Sequence, residues 1–138
     1  MDFVSTRIIT DDVERLVRFY EQATGQAARR YTEDFAELGT PTGTLAIGST
    51  RTVQLFGAGS ARPADNHTAI IEFRVNDVDK EHQRLKSILS EFVQEPTTMP
   101  WGNRSLLFRD PDGNLINFFT PVSAQAIEKY RKLAHTAN

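Results

Sequence analysis

Apolar residues recur along this chain in two rhythms, every second position in short runs and every third or fourth in longer ones, and the two come twice in the same order. Residues 4–10 alternate as a half-buried strand does. Asp11 or Asp12 then opens a helix, with Glu14 placed to complete a capping box on Asp11 and with Val13, Leu16, Val17 and Tyr20 as its buried stripe. Gly25 suits the helix stop. The pattern then returns: residues 68–75 alternate, Asp77-Val78 repeats Asp12-Val13, and Leu85 and Ile88 stand where Tyr20 and Ala23 stood. Each strand-helix unit runs on into three short strand-like segments, expected at 35–38, 44–47 and 52–56 and again at 92–94, 104–108 and 115–120. The chain is thus expected to be α+β, two βαβββ modules forming a curled mixed sheet around a cavity, plus a C-terminal helix.

The turn chemistry fixes the last hairpin best. Between the strands at 108 and 115, Pro111 presets φ for the second turn position, Asp110 can accept from backbone amides ahead of it, and Gly113 supplies a left-handed residue. A stretch rich in Gly, Ala, Pro and Ser separates the two halves. Expected boundaries are a first module at about 1–57, a linker at 58–66 and a second module at about 67–121, all within one domain spanning 1–138. Ser123 can cap a final helix at about 123–135, whose Ala124, Ile127 and Tyr130 would face the body.

Composition adds limits rather than chemistry. The chain has 138 residues, 39% hydrophobic and 25% charged, with a net charge of −2, so it carries no electrostatic footprint for nucleic acid. No apolar run approaches the roughly 20 residues a spanning helix needs, and the N-terminus lacks the basic and apolar blocks of a secretory signal. A cytoplasmic protein with no membrane or nucleic-acid partner is the expectation. The absence of Cys removes disulfides, thiolate nucleophiles and Cys-ligated metals.

Three segments carry a family resemblance over nearly the whole chain: Asp12-Val13 through Phe19-Tyr20, Phe73-Arg74-Val75-Asn76-Asp77-Val78, and Phe108-Arg109-Asp110-Pro111-Asp112-Gly113-Asn114. In this order they resemble the vicinal oxygen chelate superfamily of glyoxalases, extradiol dioxygenases and bleomycin-resistance-type proteins. The resemblance implies paired βαβββ modules around a cavity, often completed across a dimer. It does not choose a function, because that fold hosts metalloenzymes and metal-free binders alike. The metal ligands of such proteins come from the first and fourth strands of each module, and the shared motifs put those positions at Ser5, Gln54, Ile70 and Asn117. A hydroxyl, two neutral amides and a hydrocarbon offer no anion or imidazole to a divalent ion, so no metal and no other cofactor is expected. His67 lies three residues before Ile70, on the opposite strand face, and reads as solvent-exposed. His82 takes the place of Val17 at the edge of a helix stripe, and His135 belongs to the tail.

Alternation from those positions gives the expected ligand-binding set: Ser5 and Arg7, Gln54, then Ile70, Glu72 and Arg74, with Asn117 and Phe119. The Arg and Glu residues either pair with one another, hold a ligand's charge, or end in water. Gln54 and Asn117, related by the repeat, read as groups that orient a ligand through donors and acceptors. Trp101, the only Trp in the chain, is flanked by Pro100 and Gly102 and resembles the Trp-Gly step that lines the drug groove in bleomycin-resistance-type proteins. It either stacks on a flat ligand or plugs a core end or dimer seam. Phe56 reads as core.

These readings favour metal-independent binding of a small organic molecule by a homodimer, antibiotic sequestration of the bleomycin-resistance type being the sharpest form. The alternatives are a glyoxalase- or dioxygenase-like metalloenzyme with other ligands, or a metal-free lyase or isomerase in which Glu72 is the base.

Overall fold

The computed structural model describes residues 1–133. Two compact units emerge, one centred on Met1–Asn66 and the other on His67–Asp110 with the described residues from Asn114 onward. In the first, β1 (Ser5–Thr10) leads into α1 (Val13–Thr24), then β2 (Arg29–Thr32), β3 (Phe35–Thr40), β4 (Gly43–Ser49) and a short α2 (Thr50–Val53). The second repeats the plan with β5 (Ile70–Arg74), α3 (Val78–Leu85), β6 (Gln94–Thr98), β7 (Asn103–Arg109) and β8 (Leu115–Pro121), and adds α4 (Ala124–Arg131). Each unit holds one four-stranded sheet, ordered β1-β4-β3-β2 and β5-β8-β7-β6, with the first strand parallel to its neighbour and the others antiparallel. The α+β class and the two βαβββ modules with a C-terminal helix follow. The expected end of that helix at 134–135, and with it His135, lies outside the described residues.

Both long helices start at an Asp. The Asp12 carboxylate accepts from the Arg15 amide and the Asp77 carboxylate from the Lys80 amide, so the first helix begins one residue beyond Asp11. Gly25, at φ 72°, ends α1 and donates to the Glu21 carbonyl. The stripe Leu16, Val17, Tyr20 and Ala23 buries one face of sheet one, where Ile8, Ala36, Leu38, Leu45 and Ile47 are also buried. In the second unit Val78, His82 and Leu85 cover Leu106, Phe108, Ile116 and Phe118, and the His82 ring meets Phe92 edge-on at 4.7 Å. The β7–β8 hairpin closes as its turn chemistry dictates, with Asn114 donating its backbone amide to Asp110 Oδ1 at 2.9 Å and its side-chain amide to Oδ2 at 2.7 Å.

Two assignments in the first module need correction. The segment 52–56 is not a strand: Ser49 caps a helical turn there, its hydroxyl accepting from the Arg51 amide, and Thr52 donates to the Ser49 carbonyl at 2.7 Å. These local side-chain bonds outcompete the β-branched pattern. The module's missing strand is Arg29–Thr32, a polar edge strand exposed along its whole length and therefore without an alternating signature.

Candidate functional site

A helix covers one face of each sheet, which leaves the other face for chemistry. In the first unit, register lines up Arg7, Ala46, Glu37 and Arg29 across the open face, with Ile9, Gly48 and Phe35 in the next row. The stem of Arg7 runs over Gly48, where an added Cβ would lie 3.6 Å from Arg7 Cδ. Its guanidinium then sits 4.6 Å from the Phe35 ring centroid and 5.1 Å from that of Phe56. Tyr31 stands beside Phe35, ring to ring at 5.8 Å, and donates its hydroxyl to Glu37 at 3.0 Å, while Arg29 lies 4.5 Å from the Tyr31 centroid.

The open face of the second unit is built differently. Rows run Ile70 to Leu115, Glu72 through Asn117 to Leu107, and Arg74 through Phe119 to Ser105. Here α4 lies on the sheet. Tyr130 packs on Phe119 at 5.1 Å, and the Tyr130 carbonyl accepts from Arg74 Nη1 at 2.7 Å. Asn117, 8% exposed, donates Nδ2 to Glu72 Oε2 at 2.9 Å, and its Oδ1 is buried with no partner among the described residues. Glu72 is exposed on the edge strand.

A separate cleft of about 240 Å³ opens between α4 and the start of β7, lined by Trp101, Asn103, Gln125, Ala126, Lys129 and Tyr130. Trp101 is 67% exposed. Gly102, at φ 95°, brings the chain against α4, and its carbonyl accepts from the amides of Val122 and Ser123. The strongly tied carboxylates lie away from both open faces. Hydrogen bonds from Arg30 hold Glu14 and Glu21 of α1 below the usual carboxylate range, and Arg104 does the same to Asp79 of α3.

The family follows from comparison. The model of the Glyoxalase/Bleomycin resistance protein/Dioxygenase superfamily matches residues 2–118. The chain belongs to this superfamily. Uncharacterized protein YwbC of Bacillus subtilis is 28% identical over 83% of this chain and 93% of its own length. A glyoxalase/bleomycin resistance protein/dioxygenase from Nocardioides has a TM-score of 0.72 at 22% identity, over 90% of this chain and 85% of its own. A glyoxalase/bleomycin resistance protein/dioxygenase family enzyme from Burkholderia phytofirmans reaches 0.75 at 16% identity, covering 88% of this chain and 100% of its own. A virulence protein from Salmonella typhimurium scores 0.72 at 21% identity, covering 88% and 98%. At these identities the solved structures speak for the fold alone.

Within this superfamily fold, each expected site residue has a definite place. Ser5 is exposed at the start of β1, Ile70 is 50% exposed on β5, and Asn117 and Phe119 are buried on β8. Gln54 is a correction: it caps the end of α2, exposed and off the sheet, because 50–53 folds as a helical turn. The pairing of β1 with β4 and of β5 with β8 makes Ala46, not Gln54, the repeat mate of Asn117. Arg74 binds a carbonyl of α4 and Glu72 binds Asn117, so the two do not pair with each other. Phe56 is 74% exposed rather than core. Arg29 and Tyr31 were missed with the strand Arg29–Thr32, although the order Arg-Arg-Tyr already puts them on one face, and Phe35 lies in an expected strand but was not assigned to the site.

The family's metal positions test poorly. With the register corrected they fall on Ser5 and Ala46 in the first unit and on Ile70 and Asn117 in the second. A hydroxyl, a methyl, a hydrocarbon and a neutral amide do not match the anionic oxygens or imidazoles that a divalent ion needs. No group of three or more His, Cys, Asp or Glu stands together among the described residues. The residues present do not fit a metal of the family type.

Proposed function

We propose that this protein binds a small organic molecule without a metal, in the manner of the superfamily's binding members rather than its metalloenzymes. One observation carries the reading: where relatives would place a metal-ligating carboxylate, Asn117 instead fixes the edge-strand carboxylate of Glu72 and keeps a buried carbonyl oxygen in reserve. Such an amide–carboxylate pair offers hydrogen-bond donors and acceptors to an organic ligand, while one carboxylate and one amide oxygen fall short of the ligand set that a divalent ion takes. Trp101 adds an exposed indole at the mouth of a cleft, suited to stacking on a flat ring. Antibiotic sequestration is the specific form we favour, with burial lowering free drug without chemistry. Action as a cytoplasmic homodimer belongs to the same proposal.

Native mass spectrometry of the protein as purified tests it. A dimer whose mass leaves no room for metal, with or without an organic adduct, supports the reading. A stoichiometric divalent ion that survives gentle desalting overturns it and makes the protein a metalloenzyme. Titration of the single Trp is the second check, since emission unmoved by every candidate drug removes Trp101 from the site.

A second reading rests on Glu72 itself. Among the described residues only Asn117 engages it, at Oε2, which leaves Oε1 able to accept a proton from a bound substrate. A metal-free lyase or isomerase of this kind loses turnover in Glu72→Gln while retaining binding. Unchanged turnover in that variant eliminates it.

A further inference from the structure

The open face of the first unit carries a row in which two cations are interleaved with three rings: Arg29, Tyr31, Phe35, Arg7, Phe56. Neighbouring members stand 4.5, 5.8, 4.6 and 5.1 Å apart, measured from guanidinium carbon or ring centroid to ring centroid. From this we infer that the face is a binding site for planar aromatic carboxylates, with Arg7 as the residue that receives the carboxylate. The inference rests on the proposed binding function and names the ligand class for one surface of it.

Three features single out Arg7. First, it is held without being neutralised. Its guanidinium lies against two phenyl rings, whereas among the described residues of its unit no carboxylate or carbonyl accepts from its fork of N–H donors. The nearby carboxylate in its row, Glu37, takes the Tyr31 hydroxyl instead. Second, Arg7 crosses a floor of short side chains. Thr44, Ala46 and Gly48 alternate along this face of β4, and the Arg7 stem passes toward Phe35 over Gly48, where an added Cβ would already be in van der Waals contact with Arg7 Cδ at 3.6 Å. An Arg fixed this way loses little side-chain freedom when a ligand arrives, so more of the interaction is realised as affinity. Third, the flanking rings are accessible: Phe56 is 74% and Tyr31 47% exposed. A carboxylate matches a guanidinium fork through two parallel N–H···O bonds, and an attached flat ring can lie on Phe56 or Tyr31. The face holds two cations to one carboxylate, which favours an anion over a neutral or cationic molecule.

Calorimetry with 2-naphthoate and its neutral analogue 2-naphthamide tests the assignment on the full chain. The naphthoate should bind saturably and the amide roughly tenfold or more weakly, the difference expected from losing charge-assisted hydrogen bonds. Arg7→Gln should abolish the preference, and Arg7→Lys should restore only part of it, because an ammonium keeps the charge and lacks the fork. Arg7 is exposed, so both variants should keep the parent's melting curve. Phe56→Ala should weaken naphthoate more than acetate. Equal binding of the two analogues, a preference that survives Arg7→Gln, or no saturable heat with naphthoate would each overturn the inference. If naphthoate fails while a neutral organic adduct is retained in the native mass spectrum, the ligand class is wrong and the binding function stands. If no organic molecule of any charge binds, both fall.

Discussion

Asn117 donates its side-chain amide to Glu72 Oε2 at 2.9 Å, across two strands whose register sets these residues directly opposite each other. Asn117→Asp would replace a donor by a second carboxylate facing the first. Like charges at that range drive the introduced carboxyl to keep its proton to higher pH, raising its folded-state pKa above the unfolded value near 3.9. The stabilising protonated form is then complete below that unfolded value and lost as pH rises through the folded one. The variant should be about 1–3 kcal/mol less stable than the parent at pH 7, with most of the deficit gone by about pH 4. Urea midpoints at the two pH values measure this. A deficit equal at both would mean that Asn117 matters for packing and not for its bond to Glu72.

Gly102 governs how α4 docks. Its φ of 95° is unfavourable for any L side chain, and a Cβ there would overlap the Ser123 side chain and stand 3.2 Å from Ala126 Cβ. Gly102→Ala should therefore cost about 3 kcal/mol by strain and overpacking together. Because Trp101 precedes this residue at the edge of the cleft, its emission should shift in the same variant well below the global melting temperature. Cooperative melting with unchanged Trp101 emission would show that α4 docks independently of the turn.

Which parts of this molecule could be read from sequence follows from where local chemistry agrees with the fold. Asp12 and Asp77 cap their helices because a short acceptor precedes an apolar stripe, and Asp110 through Asn114 can close only one kind of turn. The polar strand Arg29–Thr32 gave no alternating signal, since the whole of it is exposed at a sheet edge. Thr50 through Val53 misled in the opposite sense, with β-branched residues held in a helical turn by the Ser49 and Thr52 hydroxyls. That one misreading displaced the site, moving the partner of Asn117 from Ala46 to Gln54 and hiding the aromatic row. The small residues Ala46 and Gly48 look inert in a sequence, and their meaning lies in what crosses above them. Helix α4 shows the same limit, since Ala126 is buried while Ile127, expected to face the body, is 50% exposed.

Arg30 ties α1 to the edge strand through Glu14 at 2.8 Å and Glu21 at 3.1 Å. The hydrogen bond from Arg30 leads in lowering Glu14, whose pKa falls from 4.5 to about 2, and Glu21 is lowered by the same partner first. A depressed carboxylate stabilises the fold above its unfolded pKa, and that contribution disappears as pH falls through the folded value. Arg30→Met should lower the melting temperature at pH 7 and lose that disadvantage between about pH 4.5 and pH 2. The pair is solvent-exposed, so the effect should be small and shrink further in high salt. A gap between variant and parent that widens on acidification would contradict the assigned pairing.

Gly48 links stability to ligand binding in the first unit. An added Cβ would lie 2.9 Å from Thr52 Oγ1, and that hydroxyl cannot retreat freely because it donates to the Ser49 carbonyl at 2.7 Å. The mobile neighbour is the Arg7 stem, 3.6 Å away, so relaxation should push the guanidinium off Phe35. Gly48→Ala should thus cost only about 1–2 kcal/mol in urea denaturation, a modest overpacking penalty. Its affinity for 2-naphthoate should fall several-fold, since a displaced fork must be reordered before it can bind. The ratio of the two effects carries the information: destabilisation with undiminished naphthoate binding would show that the carboxylate does not depend on the position of Arg7 above β4.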